Sequence, residues 1–225
     1  MKKTLCGTTL LLCLMVFGGV PVARAAPITI FSNLGPGDTH GTNLTGTDNS
    51  SFPNYLVARG FSAVNSAKLD SVDIGVFDQP SLGNSFVIQL RSDAAGLPGA
   101  ILESWSTSAP EVSGSVSPTN PPLLSLSSVI HPSLSAATNY WLAAGSATSG
   151  GWWTAPPGSP NQLFSVSLDG GATFFTLDPN NSAAFRLTGT DATNGTVPEP
   201  STLLFLMSGL GGLIALRWRR RPRAT

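Results

Sequence analysis

The sequence predicts an all-β protein, an antiparallel β-sandwich of jelly-roll-like kind. Three observations predict it. From residue 26 to residue 189 the chain is rich in Ser, Thr, Gly, Asn and Pro and poor in Lys and Glu, a composition that suits strands and turns better than helices. Short apolar runs with two-residue alternation recur between turn residues, without long helical periodicities. A stretch of about 170 residues suits one domain with a sizeable core, and two sheets packed face to face would bury its aliphatic rows.

The first element is a secretory signal peptide over residues 1–25. Met1-Lys2-Lys3 is its positive start, Leu5 to Val20 its apolar body, and Ala23-Arg24-Ala25 its small-x-small site, with cleavage before Ala26. Cys6 and Cys13 both lie inside it, without the small preceding residue that a lipoprotein site requires. The secreted chain therefore has no cysteine, which excludes disulfides, thiol catalysis and Cys-ligated zinc.

The β domain is expected over residues 26–189, with strands at 28–34, 55–63, 72–77, 85–92, 100–107, 123–129, 138–147, 162–168, 172–177 and 183–189. A polar loop of Gly, Thr, Asp and Asn separates the first two. Val72, Ile74 and Val76 share one face, with Asp73 on the other. Leu69 is out of phase with them, which marks a bulge or a strand that begins after it. Phe86, Ile88 and Leu90 point inward, and Gln89 and Arg91 outward. Gly96-Leu97-Pro98-Gly99 reads as a turn. Residues 108–122 contain Pro110, Pro118, Pro121 and Pro122 and read as a surface loop.

Residues 190–201 read as a flexible stalk, because Asp191 to Thr196 offers no packing side chain. Near its end Pro198 and Pro200 hold Glu199 on extended, non-helical backbone. A transmembrane helix is expected over residues 202–217. Its apolar run, Leu203 to Leu216, is 14 residues, about 21 Å as a helix against a hydrocarbon core of about 30 Å. That is short for a permanent anchor. Residues 218–225 form an Arg-rich cytoplasmic tail; Arg217 at the helix end and Arg219, Arg220, Arg221 and Arg223 in the tail set the orientation, with everything before Pro198 outside.

The formal charge of zero hides a division. Residues 26–199 hold four basic residues, Arg59, Lys68, Arg91 and Arg186, against all twelve acidic ones, a net charge of −8. Such a surface is a poor partner for nucleic acid. It favours solubility and attracts divalent cations.

Candidate chemistry is sparse. His40 and His131 are the only histidines, there is no Gly-x-Ser-x-Gly elbow, and Asp38-Thr39-His40 lacks the glycine of an aspartic-protease loop. Paired carboxylates for glycoside hydrolysis would have to come from scattered positions such as Asp73, Asp78, Glu103 and Asp169. No metal site and no cofactor is expected, with calcium on the oxygen-rich stretch Asp38 to Asn49 as a minor alternative. Trp152-Trp153, between Gly150-Gly151 and Pro156-Pro157, is the candidate glycan-stacking site. On extended backbone the two rings face opposite ways, one inward and one toward solvent.

The order of Val197-Pro198-Glu199-Pro200, apolar run and arginine cluster resembles the PEP-CTERM sorting signal. The resemblance implies recognition of Pro198, Glu199 and Pro200 by exosortase, a membrane-embedded cysteine-type transpeptidase of bacteria that make extracellular polysaccharide, with removal of the helix and arginines. Residues 28–189 also resemble the choice-of-anchor surface domains, through Gly60-Phe61-Ser62, Leu69-Asp70-Ser71-Val72, Ile88 to Asp93, Gly96 to Leu102 and Thr138-Asn139-Tyr140-Trp141-Leu142. That resemblance implies a secreted β domain without assigned chemistry.

Together these features describe a non-enzymatic structural or adhesive protein. The secretion machinery carries it through the inner membrane, where it is single-pass before exosortase processing, and it ends at the cell surface or outside, associated with extracellular polysaccharide. One alternative is a carbohydrate-binding or polysaccharide-modifying secreted enzyme. Another is a permanent single-pass inner-membrane protein.

Overall fold

A computed structural model describes residues 26–41, 44–48, 54–78, 85–108, 122–146, 149–159, 162–177 and 182–191. The signal peptide, most of the proline-rich loop, the Pro198-Glu199-Pro200 motif, the apolar run and the arginine tail lie outside the described residues. Ala26–Thr193 forms one compact unit.

Among the described residues there are fourteen strands and no α-helix. They are β1 Ile28–Ser32, β2 Leu44–Asp48, β3 Leu56–Ser62, β4 Ala67–Ile74, β5 Val76–Asp78, β6 Ser85–Ala94, β7 Leu97–Ser108, β8 Leu124–Ser127, β9 Ser133–Leu134, β10 Asn139–Ser146, β11 Ser149–Trp153, β12 Phe164–Ser167, β13 Phe175–Leu177 and β14 Phe185–Asp191. All pair antiparallel. One sheet has the order β1-β14-β4-β8, with β9 beside β8 on the same edge of β4. A second runs β13-β12-β3-β10-β6-β7, and β2-β11-β5 is a small third.

The two larger sheets share one apolar core. Ile30, Leu69, Val72, Ile74, Phe185 and Leu187 come from the first, and Val57, Phe61, Phe86, Ile88, Leu90 and Leu142 from the second. Each large side chain buried this way stabilises the fold by about 1.5–3 kcal/mol. Phe61 gathers the rings of Phe31, Phe185 and Tyr140 at centroid distances of 5.1, 5.6 and 5.9 Å, which ties β3 and β10 to β1 and β14.

Leu69 belongs to the core with Val72 and Ile74 because Asp70 is an extra residue: Ser71 faces Thr188, but Leu69 faces Gly189. The phase break is a bulge, and β4 begins at Ala67 rather than Val72. The hairpin turn sits earlier than Gly96-Leu97-Pro98-Gly99. Ala95 and Gly96 take positive φ (56° and 84°), as a two-residue hairpin demands, and Leu97 is already strand. β14 runs two residues past Gly189, and Thr190 and Asp191 pair with Lys68 and Ala67.

Gln89 and Arg91 do lie on the face away from the core, yet both are buried. The segment after β12 covers them. Arg91 donates to Gln89 Oε1, Gly99 O and Gly171 O at 2.9, 2.8 and 2.9 Å and lies 4.9 Å from the Phe174 ring centre. Arg59 points the other way, between Val57 and Phe61 on the core face of β3. Its guanidinium rests 4.1 Å over the Phe164 ring. Burial lowers its pKa to about 10, so it stays charged at neutral pH inside the domain.

Candidate functional site

The structure places the candidate site at the β1 edge of the domain. A cavity of about 780 Å³ opens there, lined by β1 and the chain after it, by β3, by β10 and by residues 156–159 and 162–163. The β1 edge itself is closed to strand addition. Val64 N–H donates to Ile30 O at 2.8 Å, and the Asn65 amide donates to Thr29 O at 2.7 Å, so edge carbonyls that would pair with an added strand are occupied.

Aromatic and aliphatic side chains dominate the lining. Phe61, Tyr140 and Trp141 are buried in the wall, and Val64 and Leu163 stand exposed at the rim. Most polar lining groups are engaged by the fold. Asn33 donates to Ala183 O at 2.6 Å and accepts from Phe185 N at 2.9 Å, which extends the ladder past the end of β1. Asp93 accepts from Trp141 Nε1 at 2.8 Å and from Gly96 N at 3.1 Å. Gln162, only 7% exposed, is half engaged: its Oε1 accepts from Ala183 N at 2.9 Å, while its Nε2 is buried without a partner among the described residues. A buried donor left so costs about 1–3 kcal/mol.

The opposite edge of the same sheet carries a different feature. Between β8 and β9 the chain leaves β4 at the Asp70 bulge, with Ser128 N–H donating to Asp70 O and Pro132 O accepting from Leu69 N. Residues 128–132 project from there. The buried Glu103 carboxylate of β7 pins them: it accepts from Ser128 Oγ and Val129 N, both at 2.6 Å, and from Ile130 N at 3.2 Å. His131 takes a positive φ of 52° and its Nδ1 donates to Leu69 O at 2.8 Å. At the tip Val129 and Ile130 are 83% and 65% exposed.

The tryptophan doublet corrects the expectation of an exposed ring. Trp152 and Trp153 do face opposite ways, but they are 0% and 4% exposed. Trp152 sits in the main core and donates to Ala184 O at 3.1 Å. Trp153 lies under the chain between β1 and β2, with its ring 4.6 Å from Phe77 and 6.2 Å from His40, and Leu34 packs on the same cluster. Neither indole offers a face to a sugar.

The other candidates are not brought together. Asp38 is held by Arg186, which also donates from Nη2 to Asp73 at 2.8 Å, so the Asp38 carboxylate already has its cation and is a poor calcium ligand. Burial alone would lower the Arg186 pKa, but the hydrogen bonds and charges of Asp38 and Asp73 raise it. Ser125 Oγ donates to Asp73 as well, at 2.6 Å. Asp169 closes its own turn by accepting from Ser167 Oγ, Thr173 N and Thr173 Oγ1 at 2.7, 2.9 and 2.6 Å. With Glu103 at the β8–β9 loop, these three carboxylates serve three separate places. The side chain of Asp78 lies outside the described residues. Among the described residues no cluster of three or more His, Cys, Asp or Glu is placed to hold a metal, and no helix is long and apolar enough to cross a membrane.

Residues 196–221 match the PEP-CTERM protein-sorting motif. The chain thus carries the signal of an exported protein, targeted to exosortase as its processing partner and bound for the cell envelope or surface. The match does not extend into the β domain and gives the choice-of-anchor resemblance no support. No curated protein and no solved structure matches the chain.

Proposed function

We propose that the chain is a structural or adhesive protein of the cell surface or extracellular matrix, freed from the inner membrane by exosortase and resident among extracellular polysaccharide, with no catalytic activity. The sorting motif over residues 196–221 carries this reading. It is supported by the short apolar run, which suits a temporary anchor. The non-enzymatic part is supported by the separate engagement of Asp73, Glu103 and Asp169, each saturated with donors that belong to the fold. Mass spectrometry of the surface protein tests it. The expected product lacks the apolar run and the arginines, and Glu199→Ala leaves the tail in place. A surface protein with an intact tail would favour the permanent membrane protein instead.

One observation favours a second reading, a secreted protein that binds or modifies carbohydrate. The cavity at the β1 edge is large enough for a small ligand. Retention of the surface protein on the native polysaccharide, with and without Gln162→Leu, separates the two.

A further inference from the structure

We infer that exosortase works on the finished β domain and that the end of β14 is its stop, so that the chain between Asp191 and the sorting motif sets by its length whether the enzyme reaches the motif. The inference rests on the exosortase reading and deepens it by naming what in this chain limits access. Its first support is where the ends of the domain lie. β1 opens at Ile28 opposite Gly189, and the last two residues of β14, Thr190 and Asp191, still pair with Lys68 and Ala67 of β4. Ala67 pairs in turn with Leu134, and both are buried. The strand is therefore held to its last residue, and the chain before β1 and the chain after β14 leave at the same end of one sheet.

The second support is how that end is knitted. Val64 N–H donates to Ile30 O and the Asn65 amide to Thr29 O, at 2.8 and 2.7 Å. Ala63 N–H donates to Thr138 O at 3.0 Å, and Ala137 N–H returns a bond to Ala63 O at 2.8 Å. Ala136 N–H donates to Ser66 Oγ at 2.9 Å. The loops after β3 and before β10 are thus bonded to β1 and to each other at the end where β14 stops. Four strands abreast, β1, β14, β4 and β9, make a front of about 15 Å. It cannot be drawn out as a single thread without breaking pairs.

The third support is spacing. The matched residues begin at Thr196, so Ala192-Thr193-Asn194-Gly195 separates them from Asp191, four residues or about 13 Å of extended chain. An enzyme that grips Pro198, Glu199 and Pro200 from within the membrane takes in one extended chain, and the sheet front is too broad to follow it. The four residues keep that front clear. The other end is tighter, since only Pro27 lies between Ala26, the residue expected to follow leader cleavage, and Ile28. β1 therefore pairs only after the leader is cut, whereas the tail is cut from the closed domain.

Length and sequence are separable here. Residues 192–195 lie outside the match, so removing them takes nothing from the motif. They also lie beyond the last paired residue, so removing them leaves every strand pair in place.

Mass spectrometry of the mature C-terminus, on full-length chains made in the cell that carries the exosortase, tests this. Deleting residues 192–195 is expected to lower the processed fraction by about tenfold or more, and Gly-Ser-Gly-Ser in the same four positions to restore it. Adding Thr190→Pro with Asp191→Pro to the deletion takes away whichever N–H of the two donates to β4. That returns two residues of slack and is expected to recover part of the processing. A deletion cut as well as the wild type overturns the inference. So does a Gly-Ser replacement that stays uncut, which would make the four residues a recognition sequence, and so does a proline variant without any recovery. A wild type that itself keeps its tail overturns the exosortase reading as well, whereas a wild type and a deletion cut equally overturn the inference alone.

Discussion

The Glu103 carboxylate on β7 accepts a hydrogen bond from the backbone of Val129, 2.6 Å away, across the gap between the edges of the two main sheets. With Ser128 Oγ and Ile130 N as further donors, it joins the two sheets beside a second polar link, Trp105 Nε1 of β7 donating to Ser127 O of β8 at 2.9 Å. Glu103→Gln keeps the volume and one oxygen for Val129 N and Ile130 N, but it removes the charge and turns an NH2 toward the Ser128 hydroxyl that donates to the native carboxylate. The expected cost is about 2–3 kcal/mol, the range for hydrogen bonds to a buried charge. Urea denaturation measures it, and hydrogen exchange should show Val129 and Ile130 among the amides that lose most protection. A stability change below about 0.5 kcal/mol would mean that the loop is held by other contacts.

Acid should loosen the turn after β12 in a predictable direction. Hydrogen bonds from the Thr173 side chain and backbone, then from Ser167, hold the Asp169 carboxyl well below its usual value of 3.8. A carboxylate whose folded pKa is depressed stabilises the fold above the unfolded value and loses that contribution as pH falls from there toward the folded one. The turn also supplies Gly171 O to Arg91, so its loss uncovers the outer face of the β6 sheet. Thermal midpoints followed from neutral pH into strong acid should therefore fall less steeply below about pH 4 in Asp169→Asn than in the wild type. Parallel curves would count against it.

The sequence made the inward row of β6 legible because Phe86, Ile88 and Leu90 alternate without interruption, and all three are fully buried. It hid the cover over Gln89 and Arg91, because Gly171 and Phe174 are some eighty residues away and polar outward positions look the same whether covered or not. β2 reads Leu-Thr-Gly-Thr-Asp and β11 opens Ser-Gly-Gly, which carry no apolar rhythm, so only their pairing defines them. The opposite orientations of Trp152 and Trp153 followed from strand geometry. The shielding of Trp153 by His40, Leu34 and Phe77 did not, because it depends on how the chain between β1 and β2 folds back. The cavity draws on segments scattered from Thr29 to Leu163, and no local pattern announces such a convergence. The buried Glu103 was likewise visible only as a scattered carboxylate.

Two glycines should tolerate substitution differently. A methyl group at Gly189 would run into the Lys68 carbonyl and stand 3.0 Å from Ile30 Cδ1, so Gly189→Ala is expected to cost about 3 kcal/mol or more by forcing β14 away from β4. Gly96 has open space around it, and only its positive φ of 84° resists a side chain. Gly96→Ala should cost about 1–2 kcal/mol. Denaturation midpoints rank the pair, and an equal or reversed order would refute the assigned contacts.

Arg186 is expected to act as a local fastener as well as a stabiliser. It joins Asp38, in the chain between β1 and β2, to Asp73 on β4, and the same chain brings His40 and Leu34 over Trp153. Asp38 is about half exposed, and an ion pair so open to water contributes at most about 1 kcal/mol. Arg186→Met keeps the aliphatic stem but frees Asp38 and strips two hydrogen bonds from Asp73, which is only 13% exposed, so global stability should fall by about 1–3 kcal/mol while the cover over Trp153 opens more often still. Acrylamide quenching reads this, with a Trp153→Phe background to isolate the signal. The quenching constant of Trp153 should rise in Arg186→Met, whereas that of Trp152, enclosed in the main core beside Phe185, should stay unchanged. Equal increases at both rings would instead indicate general loosening of the sandwich, and no increase at Trp153 would show that the aromatic packing of Phe77 and His40 holds the cover without the ion pair.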